Sequence, residues 1–109
     1  MVKSDPPLNE NWADIAAVDK LIHEPARLAA MSILDAVESA DFLYLQRATG
    51  LTKGNLSVHL QKLEEAGLIE IQKTFQGKYP RTLCKLTVKG KEDFGKYKEQ
   101  IQGVFGSGA

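Results

Sequence analysis

Positions 52 to 62 of the chain read Thr-Lys-Gly-Asn-Leu-Ser-Val-His-Leu-Gln-Lys. At about 100° per residue of α-helix, Leu56, Leu60 and Leu63 fall on one side. Gly54, Val58, Gln61 and Glu65 fall on the other, flanked by Asn55, Ser57 and Lys62. Amide and hydroxyl side chains can hydrogen-bond base edges, and lysines such as Lys53 and Lys62 can neutralise phosphates. Val58 is apolar where a solvated face should be polar, and a valine there could touch a thymine methyl. Gly54 costs the helix about 1 kcal/mol relative to Ala, which close approach to a phosphate backbone would justify. A solvated face with one stray valine and a tolerated first-turn glycine is the plainer alternative.

The sequence offers little other chemistry. It has no nucleophile–base pair, phosphate loop or metal-spaced cluster, so no enzyme, metal or cofactor is expected. One cysteine, Cys84, excludes an intramolecular disulfide and a Cys-based zinc site. It alternates with Leu86 and reads as a small buried hydrophobe; a redox role would need an exposed, low-pKa thiolate. His23 and His59 are far apart in sequence, and His59 reads as structural.

The polar face needs elements to hold it. Helices are expected over 42–49, with Asp41 as cap, and over 53–66. Gly50 supplies a left-handed end to the first, Thr52 an N-cap to the second. A helix, a short glycine turn and a second helix make a helix-turn-helix. Leu43, Leu45 and Ala48 are expected to supply apolar contacts. After Gly67 the period changes to two over 68–75, with Ile69, Ile71 and Phe75 on the buried face. Gln76 to Arg81 reads as a turn with Gly77 and Pro80 as breakers, and 82–86 as a returning strand. Lys78 and Arg81 on that hairpin tip are placed to reach phosphates or a minor groove.

Flanking helices complete the chain. The Asp5-Pro6-Pro7 run marks residues 1–10 as a flexible lead. Trp12, Ile15, Ala16 and Ile22 follow helical spacing. Pro25 suits the first turn of another helix, continued by Ala26, Ala30, Ile33, Leu34 and Val37. Thr87 caps a last helix over 88–105, with Phe94, Tyr97, Ile101, Val104 and Phe105 as an apolar stripe. That stripe either packs on the chain's own core or, together with Trp12 and Ile15, meets a second subunit. The second arrangement is the expectation. Residues 106–109 read as a frayed tail, leaving 11–105 as a single domain.

Composition is ordinary for a folded domain, with 43% hydrophobic and 26% charged residues among 109. No run approaches a membrane span and residues 1–10 lack a signal core, which makes the cytoplasm the default compartment. A net charge of zero argues by itself against a nucleic-acid binder. Its distribution argues otherwise. Residues 1–46 hold three bases against eight acids, net −5. Residues 47–91 hold nine against three, net +6. Residues 92–109 hold two against three, net −1. The basic block coincides with the second helix and the hairpin.

The segments His23 to Leu28, Leu51 to Ser57, His59 to Ile69, Pro80 to Thr82 and Leu86 to Gly90 carry a resemblance. In this order they resemble winged-helix regulators of the MarR and ArsR type, in a small stand-alone subgroup, over about residues 18–100. The resemblance implies a mainly α fold with a small β-hairpin wing (α+β). Additional N- and C-terminal helices would serve dimerisation. It implies a homodimeric, sequence-specific regulator of double-stranded DNA, repressor rather than activator, with recognition helices in successive major grooves. Thr52, Lys53, Gly54, Asn55, Ser57, Val58, Gln61 and Lys62 would form the reading face, and Lys78 and Arg81 the wing contacts. A small-molecule effector is compatible with the class, although no residue marks its pocket. The cysteine cluster of ArsR-type metal sensors is missing. The alternative is a winged-helix protein-interaction module that never touches DNA.

Overall fold

The computed structural model describes residues 20–104. Residues 20–22 are helical and lead into α1 (Pro25–Ala36). Pro25 occupies the first turn, and the Glu24 side chain caps it by accepting from the Arg27 amide at 3.0 Å. There follow β1 (Ala40–Asp41), α2 (Phe42–Thr49), α3 (Lys53–Glu65), β2 (Ile69–Gln76), β3 (Tyr79–Leu86) and α4 (Val88–Val104).

The helix-turn-helix forms where its caps dictate. Asp41 accepts the Tyr44 amide at 2.7 Å to start α2. Gly50 ends that helix at φ 72°, its amide returning to the Gln46 carbonyl at 2.9 Å. Thr52 then accepts the Asn55 amide at 3.2 Å to start α3. Gly67 closes α3 at φ 77° in a Schellman arrangement. The Gly67 amide bonds the Glu64 carbonyl (2.9 Å) and the Leu68 amide bonds the Leu63 carbonyl (3.0 Å). Leu63 and Leu68, which accompany the motif as its apolar pair, are both buried.

The sheet has three strands in the order β1-β3-β2, all antiparallel. The strand β1 was not expected. It is two residues long, too short for a period, and its second residue doubles as the cap of α2. The hairpin is also tighter than the sequence suggests. Tyr79, Pro80 and Arg81 belong to β3, and only Gly77 and Lys78 form the turn. Gly77 has φ 64° and no non-glycine residue among those described has positive φ. Positive φ at the first central position only is the type II′ pattern, whose twist matches the strands. Pro80 is tolerated because β1 covers only Leu83 and Cys84, leaving β3 an edge at that point. The Gln76–Tyr79 pair closes the turn, so the next pair, Phe75–Pro80, falls at a non-hydrogen-bonded position.

One core joins these elements. Ile22, Met31, Leu34, Leu45, Leu56, Leu60, Leu63, Leu68, Phe94 and Tyr97 are buried in it together with Cys84 and Leu86 of β3. Fully burying each leucine contributes about 1.5–3 kcal/mol, so the inner face of α3 alone anchors that helix firmly. Three residues expected to make apolar contacts are exposed instead: Phe75 (71%), Leu43 (67%) and Ala48. Phe75 keeps the inward register of Ile69 and Ile71, but it lies at the far end of the hairpin, past the last core residue beneath it.

The junction between α3, the hairpin and α4 is closed by backbone. Thr87 donates its amide to the Leu68 carbonyl (3.0 Å) and its hydroxyl to the Gly67 carbonyl (2.6 Å). The same hydroxyl caps α4 by accepting the Gly90 amide at 2.9 Å. A Cβ on Gly90 would run into the Leu68 carbonyl oxygen, whereas one on Gly95, in the same helix, would meet nothing. Gly90→Ala is therefore expected to lower stability by about 1–3 kcal/mol in urea denaturation. Gly95→Ala should raise it by roughly 0.5–1 kcal/mol; equal effects at the two positions would contradict the packing described.

Candidate nucleic-acid interface

The outward face of α3 is built by subtraction. Leu56, Leu60 and Leu63 are buried, and burial of those three fixes the helix rotation. Thr52, Lys53, Gly54, Asn55, Ser57, Val58, Gln61 and Lys62 are all exposed as a result. Val58 is 51% exposed, an apolar side chain among polar ones. A Cβ built on Gly54 would meet nothing within 4 Å, so no packing inside the chain demands glycine there.

A polar joint holds α3 from behind. Arg27 of α1 donates through Nε to the Leu21 carbonyl, and its Nη1 lies 3.2 Å from His59 Nδ1 on α3. Glu24 Oε2 lies 3.4 Å from the same ring nitrogen. His59 is thus a structural residue, as the sequence suggested, bridging the cap of α1 to α3. Burial acts to raise the Glu24 carboxyl, but the Arg27 and Ala26 amides and the charges of His59 and Arg27 outweigh it, leaving the carboxyl below its ordinary 4.5.

The wing stands beside α3. Lys78 is exposed at the turn. Arg81 sits lower than the sequence reading placed it, within β3, and its Nη2 lies 3.6 Å from Asp41 Oδ2. One carboxylate therefore caps α2 and braces the wing. Between the wing, α3 and the start of α2 runs a cleft of about 700 Å³. Lys53 and Ser57 line it from α3, and Lys73, Tyr79 and Arg81 from the hairpin. Lys73 and Tyr79 were not singled out by sequence. Lys73 follows the inward alternation of β2, and Tyr79 was assigned to a turn; the clue was the two-residue Gly-Lys connection, which lengthens both strands.

The stripe on α4 divides. Phe94 and Tyr97, expected to face a second subunit, are only 3% and 5% exposed. They stack with ring centroids 6.0 Å apart, and the Tyr97 hydroxyl lies 2.8 Å from His23 Nδ1. They belong to this chain's own core because α4 lies across it. Ile101 is partly buried against the same cluster, while Trp12, Ile15 and Phe105 lie outside the described residues. Cys84 is buried, and burial, followed by the charges of Glu64 and Asp41, pushes its thiol up to about 11. Such a thiol stays protonated at neutral pH and is inert. Among the described residues no cluster of His, Cys, Asp and Glu could hold a metal, and no helix is long and apolar enough to cross a membrane.

Residues 26–104 match the winged helix DNA-binding domain family. The chain belongs to that family. An uncharacterized protein of Methanocaldococcus jannaschii is 35% identical over 82 residues, covering 75% of this chain and 89% of the relative. Among solved structures, a transcriptional regulator homologue from Pyrococcus horikoshii superposes with a TM-score of 0.77 at 29% identity. That match covers 89% of this chain and 95% of the other. NadR in complex with 4-hydroxyphenylacetate shares the fold at 19% identity, with a TM-score of 0.64 and coverage of 96% and 82%. A MarR-family protein from Enterococcus faecalis shares it at 20% identity, with a TM-score of 0.77 and coverage of 93% and 91%. The family and fold are those of DNA-binding transcriptional regulators, not of enzymes.

The joint behind α3 gives a pH dependence with a definite sign. Because the folded-state value of Glu24 is depressed, its stabilisation is present above 4.5 and lost as pH falls through the lowered value. Glu24→Gln, which keeps a cap acceptor, should be less stable than wild type at pH 7 in denaturant titrations. The two curves should converge in strong acid. A gap that is constant with pH would rule out the carboxylate as its source.

Proposed function

We propose that this chain is a dimeric, sequence-specific repressor that places α3 in the major groove of duplex DNA. Lys53, Asn55, Ser57, Gln61 and Lys62 would meet base edges and phosphates, Val58 a thymine methyl, and Thr52 a phosphate beside the cap it makes. Gly54 would let the backbone come close. Lys78 would hold the wing on the backbone or in the minor groove, and Arg81 would set the wing's posture through Asp41 while adding positive potential. The observation that carries the reading is the outward face of α3. It is polar, exposed over its whole length and backed by three buried leucines.

The domain would span 11–105, with the cytoplasm as its compartment and the terminal helices joining two copies. Phe94 and Tyr97 are withdrawn from that interface by their burial. The contact would fall to Ile101 together with Trp12, Ile15 and Phe105. A small-molecule effector enters this reading on the likeness to NadR alone.

Titration of a mixed-sequence duplex should give log K falling with log salt by about 0.9 per phosphate contacted. Gly54→Ala should lower affinity while leaving the urea midpoint equal or higher, because its Cβ meets nothing in the free chain. A flat salt dependence, or no binding at low salt, would instead favour a protein-interaction module. Sedimentation at micromolar concentration should give twice the chain mass, and a persistent monomer would remove the second subunit.

A further inference from the structure

Both histidines of this chain meet at one joint. His23 stands in the turn between helical residues 20–22 and α1, and its Nδ1 lies 2.8 Å from the Tyr97 hydroxyl of α4. His59 stands on α3 with its Nδ1 toward the first turn of α1. Imidazole is the side chain that changes charge between about pH 5 and about pH 8. The two rings answer that change differently. A hydroxyl can donate or accept, so the Tyr97 bond survives protonation of His23 by reversing. Arg27 can only donate. Its Nη1 lies 3.2 Å from His59 Nδ1, and Glu24 Oε2 lies 3.4 Å from the same atom. With a lone pair, that nitrogen accepts from Arg27; with a hydrogen, it donates to Glu24. It cannot do both. Other charges near α3 point elsewhere. On β2, also packed on α3, Glu70 pairs with Lys85 at 3.5 Å and Lys73 lines the cleft by the wing. Lys20, Arg47 of α2 and Lys62 of α3 are exposed. Glu24, held below its ordinary 4.5, stays ionised wherever His59 titrates.

We propose that His59 is a proton-operated latch on α3: neutral, it holds Arg27; protonated, it leaves Arg27 for Glu24, and DNA binding weakens. This rests on the DNA-binding reading above and gives it a pH control. With the ring neutral, Arg27 reaches from His59 to the Leu21 carbonyl, so α3 is tied to residues 20–22 as well as to α1. An imidazolium there would set donor against donor and cation against cation at 3.2 Å. The ring turns instead to Glu24, whose Oε2 already accepts the Arg27 amide as the cap of α1. The link from α3 to residues 20–22 is then open. A reading face held less firmly gives up more freedom on binding, so acid lowers duplex affinity.

The test uses the full chain in two arms. In the free chain, nitrogen NMR follows both imidazoles and the Arg27 guanidinium from about pH 8 to about pH 5. The Arg27 signal should move with the midpoint of His59 and not with that of His23. An Arg27 signal that ignores His59 would overturn the latch. On a mixed-sequence duplex at fixed salt, wild-type affinity should fall at least about fivefold across that range, the lower end of ordinary coupling between linked equilibria. His59→Asn places an amide oxygen where Nδ1 stands, an acceptor for Arg27 that takes no proton, and should show no fall. His23→Gln should keep the wild-type fall. A flat wild-type profile, or equal falls in wild type and His59→Asn, would overturn the latch and leave the DNA-binding reading intact. A fall that vanishes in His23→Gln would do the same, since the other histidine would then carry it. Absence of duplex binding at every pH would overturn both.

Discussion

The carbonyl of Leu68 accepts the Thr87 amide and lies so close to Gly90 that no side chain fits between them. Everything that faces outward depends on this contact. It joins the end of α3 to the start of α4 across the base of the hairpin, where Ile69 pairs with Leu86. The Thr87 hydroxyl donates to the Gly67 carbonyl and accepts the Gly90 amide, so one side chain satisfies two helix ends that would otherwise be left open. Lys89 adds a third bond, to the Ala66 carbonyl at 3.0 Å. The exit direction of α3, the root of the wing and the entry of α4 are thereby one rigid corner.

A second constraint works from the opposite end of the cleft. Asp41 pairs in the sheet with Leu83, caps α2 and approaches Arg81. Its ion pair is partly exposed and contributes little stability in itself. Its effect is geometric, because it ties the hairpin to the helix-turn-helix at a point where β3 has left its partner strand β1. With α3 rotated by its leucines and braced at His59 by Arg27, the two walls of the cleft are set independently of any ligand. A surface held this way loses little freedom on binding, which favours affinity.

Charge is arranged around that frame rather than in excess of it. The chain is neutral overall, yet the segment from the end of α2 to the start of α4 carries +6 and the preceding segment −5. Within a Debye length of about 8–10 Å only the local block is felt by an approaching polyanion, so segregation matters more than the sum. The acids do structural work elsewhere: Glu24 and Asp41 cap helices, and Asp35 holds Lys98 of α4 at 2.7 Å.

Local chemistry made much of this legible in the sequence. Caps and glycines act over three or four residues, so Asp41, Gly50, Thr52 and Gly67 mark the helix-turn-helix without knowledge of the rest. The three-four spacing of Leu56, Leu60 and Leu63 determines which face of α3 is bare, and hence the roster from Lys53 to Lys62. What the sequence left open depends on distance through space. A two-residue strand such as β1 exists only because β3 lies beside it. Phe75 has an inward register and still ends in solvent, because alternation says which side a residue faces but not where the core stops. Phe94 and Tyr97 sit on an apolar stripe that could meet either a second chain or their own, and the path of α4 across the core decides for the latter. Arg81 and Asp41 are forty residues apart, and only the tertiary fold makes them partners.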